Sequence, residues 1–210
     1  MKRMMLLLLA AGLGFSTAQA QYFGLKAGAN AAVLDGEKLT TQTDYRVSYH
    51  AGAFYNYNLI GPLSLRPELL YSLQGGEFKS GQEDFETKLH YLNLPILADL
   101  KIGPVHLQAG PQFGLLLTAK ESGLLLTGYN PVGNQPQYTN VNRQVTDQYK
   151  KQDFSLCAGL ELDLGQSFAL GGRLTAGLTD VDDYDQVRSV DDPRLKNRVF
   201  QAYAVLKLGK

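Results

Sequence analysis

The chain has 210 residues, room for one domain, with 44% hydrophobic and 19% charged residues, as in ordinary folded proteins. Twenty basic residues balance 20 acidic ones, so no strong basic field marks nucleic acid as a partner. Beyond the N-terminus no apolar run reaches the ~18 residues of a membrane helix, which excludes a helical membrane protein.

Residues 1–20 read as a secretory signal peptide. Lys2 and Arg3 supply its positive start, Met4 to Phe15 its apolar run, and Ala18-Gln19-Ala20 the small-x-small cleavage pattern. Cleavage before Gln21 leaves 21–210 as one domain with 18 basic and 20 acidic residues. A lipoprotein signal would need a cysteine at the cut, and none stands there. Export permits disulfides, yet Cys157 is the sole cysteine and reads as an inert, packed thiol. Durability must come from elsewhere.

From Tyr22 onward the dominant period is two, the signature of strands. In the first strand Phe23, Leu25, Ala27, Ala29, Ala31 and Val33 alternate with Gly24, Lys26, Gly28 and Asn30. The second sets Tyr45, Val47, Tyr49, Ala51, Ala53, Tyr55 and Tyr57 against Arg46, Ser48, His50 and Gly52. The third sets Leu63, Leu65, Pro67, Leu69, Tyr71 and Leu73 against Ser64, Arg66, Glu68, Ser72 and Gln74. The fourth opposes Leu92, Leu94, Ile96, Ala98 and Leu100 to Asn93, Asp99 and Lys101. The fifth opposes Val105, Leu107, Ala109, Phe113, Leu115 and Leu117 to His106, Gln108, Gln112 and Thr118. The sixth runs over Phe154–Leu164, with Ser155, Gly159, Glu161 and Asp163 on its polar face. The seventh covers Phe168–Leu178, with Arg173 on that face, and the eighth Phe200–Leu208, with Gln201, Tyr203 and Lys207.

Tight turns join strands two to three (Leu59-Ile60-Gly61-Pro62), four to five (Gly103-Pro104) and six to seven (Gly165-Gln166-Ser167). Long connections lie at about 35–44, 79–88, 120–152 and 180–198. Short and long links alternate strictly, as in outer-membrane barrels with short periplasmic turns and longer extracellular loops. The expected fold is all-β: an eight-stranded antiparallel up-and-down transmembrane β-barrel in the bacterial outer membrane.

Alternation alone does not choose between this and a soluble, lipocalin-like barrel with its apolar face inward. Two features favour lipid. The polar face carries Lys26, Arg46, Arg66, Glu68, Asp99, Lys101, Glu161, Asp163, Arg173 and Lys207, a mixed set suited to pairing inside a narrow interior. That face is also rich in glycine, as a crowded interior requires. The apolar face carries aromatic residues near its strand ends: Phe23, Tyr55, Tyr57 and Phe168 at the short-turn end, with Tyr45, Tyr49, Tyr71, Phe154 and Phe200 at the other. They read as two girdles around a lipid-facing band. Pro67, Pro95 and Pro111 each remove a ladder donor, and bulges are expected there.

No catalytic, metal or cofactor constellation stands out. His50 and His106 fall on the interior face beside Ser48 and Ser72, where satisfied structural roles are commoner than catalysis. Glu161 with Asp163, or Glu68 with Asp99, could pose as acid–base pairs, but Arg66, Lys101 and Arg173 offer them salt bridges. The run Asp180-Val181-Asp182-Asp183-Tyr184-Asp185 has oxygen ligands for Ca²⁺ but lacks the glycine and closing glutamate of an EF-hand loop. Arg188, Arg194, Lys196 and Arg198 are nearby counter-ions. The 120–152 segment, rich in Tyr, Asn and Gln, reads as a solvated β-hairpin extension or a contact surface.

The opening Phe23-Gly24-Leu25-Lys26-Ala27-Gly28-Ala29-Asn30, the run Tyr91-Leu92-Asn93-Leu94-Pro95-Ile96-Leu97 and Ala109-Gly110-Pro111 resemble the PorT-like outer-membrane β-barrel proteins of Bacteroidetes. Ala158-Gly159-Leu160-Glu161-Leu162 and Arg173 with Gly177-Leu178-Thr179-Asp180 extend the resemblance over nearly the whole mature chain. It implies outer-membrane residence; most members have no assigned activity, and one branch is linked to protein secretion. The sequence departs from outer-membrane barrels at Leu206-Lys207-Leu208-Gly209-Lys210, where an aromatic residue usually closes the last strand. The functional expectation is a non-enzymatic, monomeric barrel with a side-chain-filled interior and a structural or surface-interaction role. Its partners would be outer-membrane lipids and an envelope or extracellular protein met through 120–152 and 180–198. The alternatives are a secretion or transport accessory barrel and a soluble ligand binder.

Overall fold

The computed structural model describes residues 21–35, 42–80, 83–130, 133, 135–181 and 195–208. The segment read as a signal peptide lies outside them. Ten strands follow in order: β1 (Tyr22–Asp35), β2 (Gln42–Asp44), β3 (Arg46–Ile60), β4 (Leu63–Ser80), β5 (Glu83–Ile102), β6 (Val105–Tyr129), β7 (Pro136–Gln144), β8 (Gln152–Leu164), β9 (Phe168–Gly177) and β10 (Lys196–Leu208). Eight of them close an antiparallel ring in the order β4-β3-β1-β10-β9-β8-β6-β5, with β5 returning to β4. The two others lie outside it, β2 on β4 and β7 on β6. Closure satisfies the lipid constraint, because an open edge would leave backbone N–H and C=O groups unpaired in hydrocarbon.

Side-chain direction follows the alternation. Phe23, Leu25, Val47, Leu69, Phe113, Leu160 and Leu170 face outward, while Lys26, His50, Arg66, Glu68, Asp99, Glu161 and Arg173 are buried inside. Outward aromatic rings pair near the strand ends: Phe23 with Tyr55 at 4.7 Å, Tyr45 with Phe200 at 5.9 Å, and Phe113 with Phe154 at 5.1 Å between centroids. The three short turns carry Gly61, Gly103 and Gly165 at φ of 54°, 61° and 79°, a region that costs other residues strain.

The structure departs from the sequence expectations in the long connections. The 79–88 connection is not a loop: β4 runs to Ser80 and β5 starts at Glu83, paired down to Ser80↔Glu83. Within 120–152, β6 continues to Tyr129 and β7 returns beside it, so this segment is a hairpin followed by a single 3-10 turn at Thr146–Gln148. Gln42–Asp44 adds a short strand inside the first long connection, and β10 begins at Lys196 within the last.

The expected bulges at the prolines do not occur. Register runs unshifted from Pro67↔Ile96 to Leu70↔Asn93, from Pro95↔Gln112 to Ala98↔Ala109, and through Pro111↔Leu156. Each proline keeps an extended backbone and merely lacks its donor, so no residue need be inserted. The shifts fall instead at Asn58/Ile60, His90/Tyr91 and Leu126/Gly128.

Two glycines of the interior face make room for rings on the neighbouring strand. A Cβ on Gly24 would lie 2.2 Å from the Phe54 ring, and one on Gly171 would lie 2.4 Å from the Tyr203 ring. Tyr22, Phe54, Tyr203, Ala169 and Val205 thereby form an apolar cluster within the lumen. Gly171→Val should therefore displace Tyr203 and lower stability by about 1–3 kcal/mol, the usual cost of overpacking. A urea titration of the refolded barrel, followed by its heat-modifiable gel mobility, measures this; an unchanged midpoint would contradict the packing.

Candidate functional site

The interior face of the ring concentrates charge at mid-height. Glu68 on β4 accepts two hydrogen bonds from Arg173 on β9, at 2.7 and 2.9 Å, and two from Lys26 on β1, at 2.9 and 3.1 Å. Arg66 lies two residues before Glu68 on the same face and reaches Asp99 at 3.3 Å and Glu161 at 3.1 Å. It also lies 3.4 Å from Glu68, which joins the two groups. Three cations and three carboxylates thus meet across five strands in water-poor surroundings. Each buried charge is tolerable only because its partners are close.

Neutral side chains complete the coordination. Gln108 donates to Asp99 at 3.0 Å, while its carbonyl oxygen accepts from Arg173 at 3.0 Å and Tyr203 at 3.3 Å. Arg66 stacks on the Phe54 ring at 3.6 Å, and the Lys26 ammonium sits 3.8 Å over that of Tyr203. Toward the short turns, Asp163 accepts from Lys101 at 2.8 Å and from Lys207. His106 bridges the two levels, 2.7 Å from Asp99 and 3.3 Å from Asp163. Toward the long loops, Asn30 accepts from Gln201 at 3.0 Å and pairs with His50 at 2.7 Å.

Above this polar column lies an apolar cap. Leu34, Phe78, Leu89, Tyr91, Leu116, Ala119, Val145, Tyr149, Val181 and Leu195 form one buried cluster. Val145 and Tyr149 flank the 3-10 turn; Val181 and Leu195 border residues 182–194, which lie outside the described residues. The amide of Val181 donates to Leu195 at 2.8 Å, and Lys150 donates to Val181 at 2.9 Å, which ties these segments over the mouth.

Of the ten charged residues taken from the polar face, the structure brings nine into this lumen. Arg46 stands apart, on Glu86 at 3.0 Å. Sequence reasoning gave no role to Gln108, Phe54 or Tyr22. Phe54 sits in the run Ala53-Phe54-Tyr55-Asn56-Tyr57, where aromatic residues fall on both faces and the alternation loses contrast. The remaining histidine, His90, pairs with the Tyr71 hydroxyl at 2.5 Å. Cys157 is buried near Gln112 and Thr175, each at 3.4 Å. Among the described residues no three of His, Cys, Asp and Glu converge as metal ligands. Asp180 reaches Lys150 at 3.3 Å, whereas Asp182, Asp183 and Asp185 of the acidic run lie outside the described residues.

A family model described as outer membrane protein beta-barrel domain matches residues 17–183. The chain belongs to that family. It is a small integral barrel of the bacterial outer membrane. No curated protein matches it. Among solved structures it is similar to Ail, the attachment invasion locus protein of Yersinia pestis, in complex with the heparin analogue sucrose octasulfate. The identity is 12% and the TM-score 0.50, over 90% of this chain and 100% of that one. Neisserial surface protein A (NspA) gives the same identity, coverage and TM-score. At that identity the likeness is one of fold.

In this outer-membrane barrel domain Glu68 holds two buried cations, Lys26 and Arg173. Glu68→Gln leaves both undercompensated and should destabilise the barrel by about 3–5 kcal/mol, the cost of breaking a buried pair. Arg198→Gln, whose ion pair with Asp35 is half-exposed, should change stability by about 1 kcal/mol or less. Parallel urea titrations in detergent compare the two; equal shifts would contradict the central position of Glu68.

Proposed function

We propose that this chain is a non-enzymatic, monomeric outer-membrane barrel of the PorT-like group. In this reading residues 1–20 are a cleaved signal and the lumen is a structural core. Its work is done at the cell surface, by contact with an envelope or extracellular protein. The observation that carries the reading is the sheet that continues above the capped lumen. There β2, β4, β5, β6 and β7 pair side by side over Gln42–Asp44, Glu77–Lys79, Glu83–Glu86, Lys120–Tyr129 and Pro136–Gln144. Hydrogen-bonded strands are a costly way to link barrel segments if only a connection is needed, since turns of two or three residues serve at the other end. The β7 strand is largely exposed on both faces and carries Tyr138, Asn140 and Asn142 along one of them, side chains suited to protein contact.

Photo-crosslinking on intact cells tests this. A photoreactive residue at Tyr138 should give a discrete protein adduct, while one at the periplasmic turn residue Ile60 should give none. Adducts from Ile60 alone would favour the secretion-accessory role and overturn the surface role.

A further inference from the structure

We propose that the outer face of the barrel, at the β5–β6 bulge, binds the phosphate-bearing headgroup of an outer-leaflet lipid. Below the bulge the outward residues of β6 are Phe113, Leu115 and Leu117, all exposed as a lipid-facing band requires. The register shift between His90 and Tyr91 takes up one residue of β6, since Tyr91 pairs with Leu116 and His90 with Thr118. Above it Leu89 and Ala119 point inward, and the outward face becomes Thr118 and Lys120 beside His90 and Lys88. The bulge therefore sits where an apolar wall turns polar, at headgroup height above the Tyr49 and Tyr71 rings.

Lys88 and Lys120 are directly opposed in register on this face. Like charges opposite each other on neighbouring strands repel, unless an anion lies between them. The nearest carboxylates, Glu86 and Glu77, lie opposite each other two positions further along the sheet. Glu86 is engaged by Lys88, by Arg46 at 3.0 Å and by Ser122 at 3.1 Å, so one carboxylate is shared by two cations. Lys120 and Lys151 have no carboxylate partner among the described residues. His90 lies within electrostatic reach of Lys120, Arg46 and Lys88.

Beside Lys120 the wall is notched. β6 pairs with β8 up to Leu115↔Gln152 and with β7 only from Lys120↔Gln144, and the gap is filled by the 3-10 turn. There Thr146 accepts from the Ala119 amide at 3.0 Å and from Gln144 at 3.2 Å. The notch is an open cavity of about 510 Å³ with Leu115 and Leu117 on its apolar side and Gln144, Thr146, Asp147 and Lys151 on its polar side. An apolar floor beside the opposed Lys88 and Lys120 fits an amphiphile, with acyl chain on the leucines and phosphate between those two lysines. A free anion would use only the lysines.

The test uses the full barrel in nanodiscs of phosphatidylcholine with and without 10 mol% (~10%) lipid A, with bound lipid counted by native mass spectrometry. Wild type should retain lipid A in preference to phosphatidylcholine. At about 1 kcal/mol per lysine near a charged surface, the double variant Lys88→Gln/Lys120→Gln should weaken retention roughly ten- to thirty-fold. Leu117→Asn should weaken it too, while Arg143→Gln, whose residue is bound to Glu121 on the other face of the sheet, should not. Inorganic phosphate in excess should fail to displace the lipid. Equal retention of phosphatidylcholine and lipid A by wild type would overturn the proposal without any variant. So would displacement by inorganic phosphate, or unchanged retention in a double variant that keeps the heat-modifiable mobility of wild type.

Discussion

The structure depends on one constraint: in hydrocarbon, no backbone donor or acceptor can go unpaired. The pairing of β1 with β10, from Phe23↔Leu208 to Asp35↔Lys196, meets it by joining the chain's first and last strands. Closing a ring of eight strands then fixes the rest. Such a ring is too narrow for a water channel and must be filled by its own side chains. Because the outer face belongs to lipid, the inner face is where the polar residues go, and they must satisfy one another.

Glu68 and Arg66 show how they do so. The two lie on the same face of β4 and between them reach β1, β5, β8 and β9 through Lys26, Asp99, Glu161 and Arg173. Except for Asp99 on the neighbouring β5, these ion pairs tie β4 to strands with which it shares no ladder. The glycines at Gly24 and Gly171 belong to the same solution, because the rings of Phe54 and Tyr203 shield this charge only if a neighbouring strand yields the space. Above, among the described residues, the apolar cap closes over the column.

The parts legible in the sequence were those governed by the bilayer. Within the lipid band the two faces differ so sharply that period two alone places Leu25, Leu69 and Leu160 outward and Lys26, Glu68 and Glu161 inward. Beyond the bilayer both faces meet water, and the contrast disappears. Pro136 to Gln144 is a strand of this kind, exposed on both sides, while Glu83 to Lys88 reads as loop because Phe85 is its one apolar residue, packed inward against the cap. The bulge at Leu117 was hidden in the run Leu115-Leu116-Leu117, where any register looks apolar. The prolines misled because a missing donor suggested a missing residue, whereas the ladder skips the bond and keeps its count. The cap could not be seen because Val145, Val181 and Leu195 meet only through the fold.

Single-channel recording of the purified barrel in a planar bilayer tests the central claim, that the lumen is a packed ionic core. A closed baseline, with no steady conductance under applied voltage, is the predicted result. A large, stable conductance from the wild-type protein would mean that water and ions pass where Glu68, Arg66 and Arg173 are placed in contact, and would contradict the account.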